Sequence, residues 1–136
     1  MAIVSQQARE LANNRFAEMG LKLSFGEHIE ETDDFMSSSI ESRVEDLHKA
    51  FSDKNIKAII TVIGGFNCNQ ILRYLDWDLI KNNSKIFCGY SDITALNNAI
   101  FTKTGLVNYS GPHSSFFFFF VFFILKNIQE ESIIRN

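Results

Sequence analysis

Proline is nearly absent from this 136-residue chain, and the one that occurs, Pro112, falls where the last regular element ends. Cysteine is scarce too. Cys68 and Cys88 are far apart and form no CxxC pair, which suits a reduced, cytoplasmic chain. Positive charge is not in excess: 13 Lys and Arg face 16 Asp and Glu, for a net charge of -3. That leaves no basic footprint for nucleic acid and no polybasic patch for a membrane surface. Met1 to Gln7 hold no basic region followed by an apolar core, so no secretory signal is expected. What remains is a chain with 46% apolar and 21% charged residues, the balance of a globular domain long enough to bury a core.

Regular elements follow in order. Ala8, Leu11, Ala12, Phe16 and Met19 recur at helical spacing and predict a helix over 5–19, stopped by Gly20. Leu21, Leu23 and Phe25 alternate with polar residues and predict a short strand. The acidic stretch Gly26 to Ser37 lacks metal-ligand spacing and reads as a solvated loop. Ser38 and Glu41 have the spacing of a capping box, opening a helix whose Ile40, Val44, Leu47 and Phe51 share one face. Ile56 to Ile63 is a nearly continuous β-branched run, as in a parallel strand covered on both faces. Gly64-Gly65 ends it. Asn67 to Gln70 leads into a helix carrying Ile71, Leu72 and Leu75. A short strand, Ile86 to Cys88, follows, then a helix with Ile93, Leu96, Ala99 and Ile100 that Gly105 stops. Leu106 to Ser110 is a last strand, broken by Gly111-Pro112.

Strands alternating with helices over 5–112 imply an α/β layer fold with a parallel sheet. Ligands bind such sheets at the carboxyl ends of the strands. Gly64-Gly65 and Ser91 both stand at such ends and can share one crevice. Ser91 sits in a bend between a buried strand and a helix start. There it can act as an exposed nucleophile, or it can simply cap the helix. For acyl transfer the N–H of Asp92 is a candidate oxyanion donor, and the side-chain-free Gly64-Gly65 turn leaves room for a second. No base is evident. His28 lies in the acidic loop, His48 on a solvated helix face, and His113 just past the last strand.

The text changes after His113. Seven of the 14 Phe fall between Phe116 and Phe123. The apolar run to Leu125 is about half of the ~20 residues that span a bilayer as a helix. Identical large rings do not interlock into a specific core, and exposed they favour aggregation. Residues 114–136 are therefore expected to be foreign to the fold, as a frameshift in T-rich codons would produce, leaving 1–113 as the domain.

Several ordered motifs resemble the LD-carboxypeptidase family of serine peptidases, its microcin-C immunity branch in particular. They are Ser37 to His48, Ile63-Gly64-Gly65-Phe66-Asn67-Cys68-Asn69-Gln70, Gly89-Tyr90-Ser91-Asp92-Ile93-Thr94-Ala95-Leu96, and Lys103 to Val107 with Gly111-Pro112-His113. The general G-x-S-x-G signature is half met, since Ile93 stands where the last Gly belongs. The resemblance implies a Rossmann- or flavodoxin-like N-terminal domain. It implies Ser91 as nucleophile, with the backbone N–H groups of Asp92 and Gly65, or Gly64, as the oxyanion hole. It implies a Ser-Glu-His triad completed from a C-terminal domain absent here, and no metal or organic cofactor. The implied substrates are murein tetrapeptides or a peptidyl nucleotide, cut beside a terminal carboxylate by a cytoplasmic enzyme that is commonly a homodimer. The family's first strand is missing ahead of the first helix. A catalytically inactive remnant, with Ser91 as a cap, is the competing expectation. A nucleotide-binding protein using Gly64-Gly65 is a third, and no GxGxxG or P-loop pattern accompanies it.

Overall fold

A computed structural model describes residues 5–34 and 36–111, together with the backbone of 123–126. Helix α1 (Gln6–Glu18) starts on Ser5, whose hydroxyl accepts from the Ala8 N–H. Helix α2 (Ile40–Ser52) leads into strand β1 (Ile56–Ile60). A 3-10 segment (Cys68–Tyr74) and helix α3 (Trp77–Asn82) lead to strand β2 (Ile86–Gly89). A 3-10 turn (Ser91–Ile93) then runs into helix α4 (Thr94–Thr104), strand β3 (Tyr109–Ser110) and strand β4 (Phe123–Lys126).

The sheet has the order β3-β2-β1-β4. The first three run parallel, with Ile60 opposite Cys88 and Gly89 opposite Ser110, so their carboxyl ends finish at one level. β4 lies antiparallel on the β1 edge, with a register irregularity between Ile56 and Ile59. The parallel order matches the α/β expectation. The rest of the Phe-rich tail, and His113, lie outside the described residues.

One face of the sheet carries the main core. Ile59 and Phe87 point into it and meet Leu47 and Phe51 of α2, Ile80 of α3, and Leu96 and Ile100 of α4. The Phe51 and Phe87 rings stack with centroids 6.2 Å apart. Ala58 and Ile60 point to the other face, where Leu23, Phe25, Ala12 and Phe16 cover them. Alternation along β1 thus produces the two-sided burial expected of a parallel strand.

Three local expectations need correction. The capping residue of α2 is Ser39, not Ser38: its hydroxyl accepts from the Ser42 N–H at 3.0 Å, so Ser42 replaces Glu41 as the N3 partner. Replacing Ser39 by Ala should cost about 1 kcal/mol of stability, read from urea unfolding. Leu21 to Phe25 forms no strand beyond a bridge at Lys22. Its alternation reflects Leu23 turning inward onto Ala58 rather than ladder pairing. Residues 68–74 form a 3-10 segment rather than an α-helix. Cys68 and Ile71 are three apart and both buried, which suits three residues per turn. The helix stops at Gly20 and Gly105 stand as expected, at φ of 74° and 76°.

Candidate active site

The loops after β1 and β2 meet above the carboxyl end of the sheet. Backbone pairing continues one residue past the strands, with the Thr61 N–H donating to the Cys88 carbonyl at 3.0 Å. The chain then turns at Gly64-Gly65 on one side and at Tyr90-Ser91-Asp92 on the other. A Cβ placed on Gly64 would lie 2.7 Å from Ser91 Cβ, 3.0 Å from its Oγ and 3.1 Å from the Asp92 nitrogen. Side-chain-free backbone is therefore a requirement at Gly64, imposed by Ser91. The structure brings together the two turns singled out in the sequence.

Ser91 is exposed and holds φ at 60°, a left-handed conformation that costs a non-glycine residue roughly 1–2 kcal/mol. The 3-10 turn that it opens has no side-chain cap hydrogen bond, and neither has α4. Ser91 therefore does not serve as a helix cap. It stands at the first position of the turn, on the open side of the bend. The bend is tied down behind it. Asn97 of α4, itself buried, donates from Nδ2 to the Gly89 carbonyl at 3.1 Å. Asn108, just before β3, donates back to the Asn97 carbonyl at 3.0 Å.

The chain that leaves the Gly64-Gly65 turn is held at several points. The Asp92 carboxylate accepts from the Cys68 N–H at 2.7 Å. From α2, Arg43 Nη1 donates to the Asn67 carbonyl at 3.1 Å and to its Oδ1 at 3.2 Å, while Nη2 reaches Gln70 Oε1 at 3.0 Å. Asn67 Nδ2 in turn donates to Ser37 Oγ at 2.8 Å. Arg43 is half-buried, and loss of water pulls its pKa down. Cys68 is not a rival nucleophile. Burial, reinforced by the Asp92 charge, pushes its thiol up to about 11, so it stays protonated near neutrality. A cavity of about 360 Å³ opens beside the turn, bounded by Gly64, Gly65, Arg43, Ser37 and His28.

Arg43, Asn67 and the Asp92 side chain were not singled out by sequence reasoning. A signal existed for Arg43: it precedes Leu47 by four residues and Ala50 by seven, which places it on the edge of the buried face of α2. None existed for the Asp92 carboxylate, whose partner is 24 residues away.

The two described histidines, His28 and His48, are engaged with other partners. His48 Nε2 accepts from the Asp76 N–H at 2.9 Å. His28 bridges Glu31 from Nδ1 at 2.8 Å and Glu45 from Nε2 at 3.1 Å, clamping the acidic loop to α2. Asp46 accepts the backbone N–H groups of Glu27 and His28 at the same place. Glu27, His28 and Glu45 cluster closely enough to hold an ion, but Lys49 already pairs with Glu27 at 2.6 Å and Glu45 at 2.7 Å. Hydrogen bonds to Glu31 and then Glu45 raise the His28 pKa above its ordinary 6.5. A raised histidine stabilises the fold fully below its unfolded value and loses that contribution as pH rises through the folded value. Glu31 and Glu45 are held below their ordinary range by Ser42 and Lys49 respectively, and then by His28. Their contribution fades as pH falls through those lowered values. The stability difference between the native chain and His28→Gln should therefore be largest just below the ordinary histidine value of 6.5 and shrink as pH rises through the raised one. Urea midpoints across that range measure it.

The fold and the junction of the two turns define a parallel α/β domain with an exposed serine at the ligand-binding end of its sheet. The sequence matches the LD-carboxypeptidase N-terminal domain over residues 2–111, and the chain belongs to that family. It is 57% identical over 117 residues to the putative carboxypeptidase YocD of Bacillus subtilis, covering 86% of this chain and 36% of that protein. Among solved structures, the MccF-like protein of Bacillus anthracis superposes with a TM-score of 0.81 at 63% identity, over 85% of this chain and 35% of that one. The microcin C7 self-immunity protein MccF, solved with aspartyl sulfamoyl adenosine, gives 0.72 at 38% identity, over 82% of this chain and 33% of that one. The chain thus spans about a third of the length of these relatives.

Proposed function

We propose that the chain is the nucleophile-bearing portion of a serine-type LD-carboxypeptidase-like hydrolase, cutting an amide bond beside a terminal carboxylate. The observation that carries this is Ser91: exposed, left-handed, uncapped, and packed against a glycine that leaves room only for backbone. Ser91 Oγ attacks the scissile carbonyl carbon. The carbonyl oxygen, now negative, is received by the N–H groups of Asp92 and Gly65, with Gly64 as the alternative second donor. The Ser91 proton passes to a histidine oriented by a glutamate, and both belong to the family's second domain. The scheme uses no metal and no organic cofactor.

Two substrate classes fit the family, a murein tetrapeptide and a peptidyl or aminoacyl nucleotide. The aspartyl sulfamoyl adenosine held by the MccF relative supports the second. Both cysteines are free, in keeping with a cytoplasmic enzyme. The assignment of the Phe-rich segment after 113 to an origin outside the fold rests on its composition, seven Phe between Phe116 and Phe123. The flanking DNA read in three frames decides that: a second domain encoded in another frame supports it, and none argues against it.

The purified chain, which spans about a third of the length of its relatives, should release no terminal residue from either substrate. Ser91-dependent cleavage by it contradicts the division of the triad. The positive test replaces the matching part of YocD with residues 5–111. The chimera should cleave at least one of the two substrates and be labelled at Ser91 by a serine-directed phosphonate. A folded chimera that does neither overturns the reading.

A further inference from the structure

We propose that the Asp92 side chain is a positioning residue that sets the spacing of the two oxyanion donors; this rests on the reading of Ser91 as nucleophile. The two donors belong to different loops. The Asp92 N–H is fixed by the bend itself, which Asn97 holds through the Gly89 carbonyl. The Gly65 N–H sits in a turn of two glycines with φ of 90° at Gly65, a stretch with little conformational preference of its own. Something must place it. The far end of that turn is gripped by the Arg43 fork on Asn67, which ties it to α2 but not to Ser91. The Asp92 carboxylate supplies the missing link, because its Oδ2 takes the Cys68 N–H at 2.7 Å. The same oxygen is 4.0 Å from where a Cβ on Gly65 would stand, so it lies alongside the glycine turn as well as at its end. One residue thereby contributes a donor through its backbone and locates the partner donor through its side chain. A charge-assisted bond suits this task, being short and directional.

The test uses the full chain, labelled with ¹⁵N, and phenylboronic acid as the probe. The boronic acid takes up Ser91 Oγ, forming an O–B bond as the hydroxyl proton leaves to solvent, and the trigonal boron becomes a tetrahedral anion. The wild type should give a tetrahedral ¹¹B signal and shift the amide resonances of both Gly65 and Asp92, and Ser91→Ala should give neither. Asp92→Ala should keep the Asp92 amide response, lose that of Gly65, and bind the probe about tenfold or more weakly, the scale of one hydrogen bond to a charged group. Asp92→Asn, which retains an acceptor oxygen, should restore the Gly65 response and most of the affinity. A well-dispersed amide spectrum for each variant separates misfolding from misplacement. If Asp92→Ala unfolds, Asp92→Asn and Asp92→Ser still grade acceptor reach against the Gly65 response, and no grading overturns the inference. Ser91-dependent binding with an unchanged Gly65 response in Asp92→Ala also overturns it. Binding that survives Ser91→Ala, or is absent from the wild type, overturns instead the assignment of Ser91.

Discussion

Replacing Ser91 by Ala in the YocD chimera should lower turnover by about a millionfold, the loss seen when a triad nucleophile is removed. The size of the effect follows from where the work is done. Without Oγ no acyl-enzyme forms, and what survives is the polarisation of a bound carbonyl by the two backbone donors. The substitution also relieves no strain, because Ala and Ser meet the same Cβ penalty at φ of 60°. Folding stability should accordingly stay within about 0.5 kcal/mol of the parent. Rate measurements paired with urea unfolding test both halves. A drop of only a few-fold removes Ser91 from the reaction and leaves it a structural bend.

The second large effect is expected at Gly64. A methyl there meets Ser91 Cβ at 2.7 Å and the Asp92 nitrogen at 3.1 Å. Neither can swing away, since one is a Cβ and the other is backbone. The two loops must part, and with them nucleophile and donors. Gly64→Ala should lower kcat about 100–1000-fold, the cost of a lost oxyanion donor, and destabilise the fold by about 1–3 kcal/mol through overpacking. Gly65→Ala makes the contrast. Its Cβ would find nothing nearer than 4.0 Å, but φ is 90°. Its defect is conformational, so stability should fall by roughly 1–2 kcal/mol. Steady-state kinetics and unfolding of the two variants side by side distinguish crowding at Ser91 from backbone strain.

Much of this arrangement is legible in the sequence because it rests on short-range patterns. The period of Ile40, Val44, Leu47 and Phe51 marks α2, and Leu47 and Phe51 are among its buried residues. The β-branched run marks β1, and glycines mark both turns. Family motifs then bring Ser91 and Gly64-Gly65 to one end of the sheet. The features that escape reading are those where a local pattern has two physical causes. Alternation at Leu21 to Phe25 arises from packing on Ala58 without a ladder. Cys68 and Ile71 satisfy a three-residue period as well as a helical one. The site's tethers escape for another reason. Arg43 to Asn67 and Asp92 to Cys68 each span 24 residues, and no local spacing encodes them.

The level finish of β1 and β2 has a consequence for accuracy. Ile60 lies opposite Cys88, and from that pair each chain takes only a few steps to Gly64 or Ser91. A slip of one residue in this ladder would displace the turns by about 3.3 Å, enough to part Gly64 from Ser91, and would turn Phe87 out of the core. Boronate capture at Ser91 is therefore a gauge of strand alignment as well as of chemistry. A refolding chain should become reactive only when two strands far apart in sequence have found the correct partner residues, so boronate capture reports that long-range pairing.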